Sequence, residues 1–261
     1  MSSLVKSFES AKSENRALLI GYIPSGFPTA DRSRSAIQAM IDGGVDVIEV
    51  GLPYSDPVMD GPVIQRASEI ALSNGVTTRD VFRTVSSSSA PTLVMSYWNP
   101  IERFGVSEFA SALRDAGGVG VITPDLTVEE SASWIDATDQ GSLHRVYVVA
   151  PSTSDERLQK VTSKCSGFVY AASLMGVTGA RSSISFEAES LVKRIRKVTN
   201  TPVCVGLGVS TGSQAREIAD YADGVIVGSA FIKLILEADS ESEANSKVKS
   251  LAEELAAAVR R

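Results

Sequence analysis

The 261 residues carry 31 acidic against 25 basic side chains, a formal net charge of −6, and 43% of them are hydrophobic. That suffices for one well-buried core of α/β-barrel size, while the acidic balance leaves no basic footprint for a nucleic-acid backbone. Cys165 and Cys204 stand in no metal or disulfide spacing, the polar stretch 1–15 lacks a leader-like apolar core, and no run approaches the ~18 apolar residues of a membrane span, so a cytoplasmic protein is expected.

In chain order, an extra N-terminal helix is predicted ahead of the first short apolar run, ALLIGYI at 17–23. A helical spacing at 31–42 precedes VDVIEVGL at 45–52; PTLVMSY follows at 91–97, then a helix at 106–116 and GVGVIT at 118–123. Next come RVYVVA at 145–150, GFVYAAS at 167–173, a helix at 186–198, TPVCVGL at 201–207, a helix at 211–221, DGVIVG at 223–228 and a closing helix at 241–260. Strand and helix alternate eight times, which demands parallel strands with right-handed crossovers and predicts a single (β/α)8 TIM barrel, one domain over 1–261. An open doubly wound sheet is the alternative. Its dinucleotide fingerprint is missing, because the glycine cluster 206–212 lacks G-x-G-x-x-G spacing and comes late in the chain.

In such barrels the loops after the carboxyl ends of the strands build the active site. The sole histidine, His144, falls just before the fifth strand, on the opposite face, so proton transfer is left to carboxylates. Alternation in the second run puts Val45, Val47 and Glu49 on the face opposite to Ile48, Val50 and Leu52, aiming Glu49 into the barrel near its mouth. Spacing alone leaves two readings of Glu49: a proton-transfer group with a pKa raised by burial, or a structural glutamate satisfied by hydroxyls. The loop 53–62 that follows carries Asp60 over the pocket, and Asp56 before Pro57 reads as a turn former. Three glycine turns end successive strands, Gly176-Val177-Thr178-Gly179, Gly206-Leu207-Gly208 and Gly228-Ser229. They permit close backbone approach, and a helix N-terminus directs free N–H groups at an anion, the usual place of a phosphate in this fold.

The stretch IEVGLPYSDPVMDGPVIQ at 48–65 resembles the signature of the tryptophan synthase alpha subunit family. Similar matches run over nearly the whole chain: Tyr97-Trp98-Asn99-Pro100, Pro124-Asp125-Leu126 with Glu129-Glu130, the turn at 176–179 with Ala180-Arg181, and Gly228-Ser229-Ala230. The resemblance implies retro-aldol cleavage of indole-3-glycerol phosphate to indole and glyceraldehyde 3-phosphate, with Glu49 shuttling a proton and Asp60 ionised, accepting the indole N–H. It further implies that Tyr22, Tyr97 and Ile122 border the indole and Tyr170 sits beside Glu49. Thr178 would tie its loop to Asp60, and Gly179, Gly208, Gly228 and Ser229 would take the phosphate. No cofactor is implied in this subunit. Pyridoxal phosphate (PLP) is expected in a tryptophan synthase beta subunit, the partner in an α2β2 heterotetramer that takes indole through a tunnel and docks on the rim of 53–60 and Asn99.

The chain departs from the family pattern at Tyr22 and Leu207, where phenylalanine is frequent, at Leu174-Met175, which replaces an arginine-containing pair, and at Thr127 in place of proline. Two other functions compete: a different phosphosugar isomerase or epimerase, which would place its acid and base on other strands, and a non-catalytic phosphate-binding scaffold, which would have no need of Glu49 and Asp60.

Overall fold

The computed structural model describes residues 2–172, 181–206 and 208–261. Eight parallel strands pair in sequence order and close, β1 against β8. They are β1 (Leu18–Pro24), β2 (Val47–Gly51), β3 (Thr92–Met95), β4 (Gly120–Thr123), β5 (His144–Val149), β6 (Val169–Ala172), β7 (Val203–Gly206) and β8 (Gly224–Val227). Outside lie α2 (Ala30–Asp42), α3 (Pro62–Ser73), α4 (Thr78–Ser86), α5 (Trp98–Phe104), α6 (Val106–Asp115) and α7 (Ala132–Gln140). The ring continues with α8 (Asp155–Thr162), α9 (Arg181–Ile195), α10 (Gly212–Ala219), α11 (Ser229–Leu236) and α12 (Glu241–Ala258). The predicted extra helix is α1 (Ser3–Ser13). Among the described residues no helix is long and apolar enough to cross a membrane.

Every strand overlaps its predicted run, and most are shorter by one or two residues at an end, because the ladder stops where neighbouring loops diverge while the sequence stays apolar. The alternation predicted for the second run fails at Val45. That side chain packs outside the barrel, where a Cβ on Gly21 would meet it at 3.2 Å and Met40 at 3.0 Å. The ladder begins only at Val47, and period-2 geometry holds only within it. The stretch after the third strand, which contains Trp98-Asn99-Pro100, forms the short helix α5.

Two apolar layers result. Outward residues such as Leu19, Ile23, Ile48 and Val94 pack beneath the helices, whereas Leu18, Ile20, Val47, Leu93, Ile122, Val146, Phe168, Cys204 and Ile226 fill the interior. The lower end is closed by α1, whose Leu4 is fully buried and whose Phe8 tilts against Phe168 at 6.2 Å between ring centroids. Ser2 caps α1 by accepting from the Val5 N–H, and its Oγ lies 2.7 Å from His144 Nε2. His144 thus belongs to the closed face, with its pKa lowered by burial and by neighbouring Arg145. Because Phe168 is wholly buried between α1 and the strands, Phe168→Ala is expected to lower stability by about 3–5 kcal/mol, read from the urea midpoint.

Candidate active site

At the open end lies a cavity of about 470 Å³. Its floor is made by inward positions of the strands. Glu49 is the third residue of β2, in register with Tyr22 on β1 and Leu93 on β3, so the pleat turns its side chain inward. The residue is completely buried, yet it lines the cavity, and neither Oε1 nor Oε2 has a hydrogen-bond partner among the described residues. Loss of water alone pushes its carboxyl up to about 8, so at neutral pH it is mainly a neutral acid. The structural reading, a glutamate satisfied by serine or tyrosine hydroxyls, has no support among the described residues.

Two tyrosines flank the carboxyl. Tyr22 and Tyr170 both line the cavity, and each needs a glycine on the adjacent strand. A Cβ on Gly51 would lie 2.4 Å from the Tyr22 hydroxyl, and one on Gly206 would lie 2.5 Å from that of Tyr170. Burial holds both phenols well above their usual range; next in order come the Asp60 charge for Tyr22 and the Glu49 charge for Tyr170.

Asp60 lies on the cavity wall in the loop after β2, immediately before Gly61 and Pro62 open α3. Its pKa is raised by burial, and a hydrogen bond from Tyr97 opposes the rise. The same Tyr97 hydroxyl accepts the Met59 N–H at 3.0 Å, and Gln65 Nε2 donates to the Asp60 carbonyl at 2.8 Å. Tyr97 is therefore a clamp on the Asp60 loop, and it does not itself line the cavity. Nearer the rim, the Tyr54 ring tilts on Tyr97 at 5.3 Å, Asn99 Nδ2 donates to the Tyr54 hydroxyl at 3.0 Å, and Val58 is 76% exposed. Asp56 is exposed and bonded to Ser55, as suits a turn former.

Gly208, Gly228 and Ser229 also line the cavity. Gly228 is the N-cap of α11 and Ser229 its first residue, so the free N–H groups of that helix face the same space. Thr178 and Gly179, together with Leu174, Met175 and Leu207, lie outside the described residues. Ile122 is fully buried in the barrel interior and does not reach the cavity; Met95, its register partner on β3, does so instead. Met95, Val148, Ala172 and Ile226 line the cavity without having been singled out in the sequence, although each is one pleat beyond an inward residue and alternation would have found them. Met59, Val63 and Ile64 carry no such signal, since a loop and a helix start present them.

The cavity thus gathers a buried acid, a second carboxyl and the N-terminus of α11. The sequence model of the tryptophan synthase alpha chain family matches residues 8–260. The chain belongs to this family. A tryptophan synthase alpha chain of Streptomyces avermitilis is 56% identical over 254 residues, 96% of this chain and 92% of that one. The counterpart in Thermobifida fusca is 53% identical over 100% of this chain and 98% of its own. A solved structure of Mycobacterium tuberculosis tryptophan synthase superposes with a TM-score of 0.92 at 48% identity, covering 100% of this chain and 99% of that one. As a tryptophan synthase alpha chain the protein is a carbon–carbon lyase, the aldolase half of tryptophan synthase.

The raised Glu49 pKa has a consequence for this alpha chain that needs no substrate. The unfolded carboxyl releases its proton near 4.5 and the folded one near 8, so between those values the native state holds more protons. Glu49 therefore contributes a stability loss that grows as pH rises across that window, approaching about 1.4 kcal/mol per pH unit. Glu49→Gln, which cannot ionise, is expected to gain on the wild type between pH 5 and 8; urea midpoints that stay parallel across this range would remove the claim.

Proposed function

We propose that this alpha chain cleaves indole-3-glycerol phosphate to indole and glyceraldehyde 3-phosphate, with Glu49 as acid and base and Asp60 as an ionised hydrogen-bond acceptor. The supporting observation is the Glu49 carboxyl, buried, neutral and without a partner among the described residues, facing a cavity large enough for a small aromatic phosphate. A cavity-facing acid held protonated at neutral pH is a proton donor in waiting.

The steps follow from this arrangement. Glu49 gives its proton to indole C3, and positive charge develops on the ring nitrogen. Asp60 accepts the N–H hydrogen bond and stabilises that charge, so its ionised form is the useful one. The bond from C3 to the side chain then breaks, its electrons restoring the indole double bond, while the side-chain hydroxyl oxygen forms the aldehyde and returns its proton to the Glu49 carboxylate. The enzyme ends as it began. Gly208, Gly228 and Ser229 would hold the phosphate, joined by Gly179, with Tyr22 and Tyr170 walling the ring and Thr178 tying its loop to Asp60. The chemistry is acid–base throughout and calls on no cofactor in this subunit.

The same reading places the chain in the cytoplasm, in an α2β2 complex with a beta subunit that holds pyridoxal phosphate and receives the indole. The rim of Tyr54, Val58 and Asn99 suits that docking, because it touches Tyr97 and through it the Asp60 loop.

Two experiments test the proposal. Purified chain incubated with indole-3-glycerol phosphate should release indole, and Glu49→Gln and Asp60→Asn should each lower kcat by about 10²- to 10⁴-fold with substrate binding retained; full turnover in Glu49→Gln would end the mechanism. Added beta subunit should raise the cleavage rate by ordering the rim loop, and a rate unchanged at saturating partner would count against the docking role.

A further inference from the structure

We infer that Asp125 is a positioning residue for the Asp60 carboxylate, acting through the first turn of α5 and Tyr97. The inference deepens the proposed role of Asp60 and rests on it.

Asp125 stands in the loop after β4, immediately beyond the last two strand residues and Pro124. Both of its oxygens accept from one backbone group, the Trp98 N–H, at 2.9 and 3.2 Å. Trp98 is the first residue of α5, and Tyr97, directly before it, is the extended N-cap at φ −63° and ψ 158°. The carboxylate thus fixes the peptide that aims the Tyr97 side chain. Two neighbouring contacts set the same segment: the Ser96 N–H donates to the Ile122 carbonyl at 3.1 Å, and Ser96 Oγ donates to the Tyr97 carbonyl at 2.8 Å. Tyr97 is 5% exposed, so its phenol has little freedom beyond what the backbone allows.

At the far end of the ring the hydroxyl takes the Met59 N–H at 3.0 Å, one residue before Asp60, and Tyr97 holds the Asp60 pKa down against the effect of burial. The other tether in this loop, Gln65 Nε2, reaches only the Asp60 carbonyl. The main chain that carries the carboxylate is thus pinned at Met59 by Tyr97 and at Asp60 by Gln65. A continuous mechanical path joins three successive strand ends: Asp125 after β4, Trp98 and Tyr97 after β3, Met59 and Asp60 after β2.

Asp125 is exposed and has no ion-pair partner among the described residues. Both of its acceptor bonds go to one main-chain N–H, that of Trp98. An exposed carboxylate without a cation to pair is free to serve a backbone donor. It suits a helix start, where free N–H groups and the dipole favour a negative charge.

The test compares Asp125→Ala, which removes the acceptor, with Asp125→Asn, which keeps one oxygen, and with Tyr97→Phe and the Asp125→Ala/Tyr97→Phe pair. Three readouts are taken: kcat and KM for indole-3-glycerol phosphate, the acid limb of kcat/KM against pH, and hydrogen exchange of the Met59 amide. Asp125→Ala should lower kcat by up to about 100-fold with KM within a few-fold. It should also move the acid limb to higher pH, because Asp60 loses the hydrogen bond that holds its pKa down, and speed exchange at Met59. Asp125→Asn should recover most of each effect, and Asp125→Ala should add little once the Tyr97 hydroxyl is gone. Wild-type kcat in Asp125→Ala, or a lowered kcat with an unmoved acid limb and an unchanged Met59 amide, overturns the inference. Should wild type release no indole, the proposed function fails, while Met59 exchange still decides whether Asp125 acts on Tyr97.

Discussion

A carboxyl group withdrawn from water without a counter-charge is the constraint on which the site depends. Glu49 occupies an inward β2 position with both oxygens unbonded among the described residues. Transfer of an ionised carboxylate to such surroundings costs far more than any single packing contact returns, so the group keeps its proton. Everything around it is consistent with a neutral acid: Tyr22 and Tyr170 are apolar rings with hydroxyl tips, and the layer beneath is Val47, Leu93 and Ile226. An arginine or lysine at any of these positions would ionise the carboxyl and remove its capacity to donate.

The second carboxyl is treated differently. Asp60 sits on a loop, partly buried, with a phenol to hydrogen-bond it and backbone tethers on either side. One acid is tuned by a strand and the cost of burial, the other by a loop and a hydrogen bond. Burial raises the pKa of both, and only for Asp60 does a second influence, Tyr97, oppose the rise.

Much of this could be read from the sequence. Eight strands announce themselves because β-branched runs end at glycine, proline and serine, and Glu49 is inward because a strand alternates. The same rule misplaces Val45, since alternation means nothing before the ladder has formed. The family resemblance, for its part, puts Ile122 in the indole wall, whereas Met95 in register with it lines the cavity. Tyr97 was legible as a residue of the site and not as a clamp, because its action depends on where the loop at 53–60 folds back in space. No period or spacing encodes that contact. Asp125 is further still from view: its effect passes through a backbone amide on a different loop.

The lower end of the barrel has a bearing on the upper one. With α1 seated under the strands and Phe8 against Phe168, the bore is a blind well. Among the described residues the lower end offers no way through, so a molecule that enters past Asp60 and Ser229 has to back out toward the end from which it came.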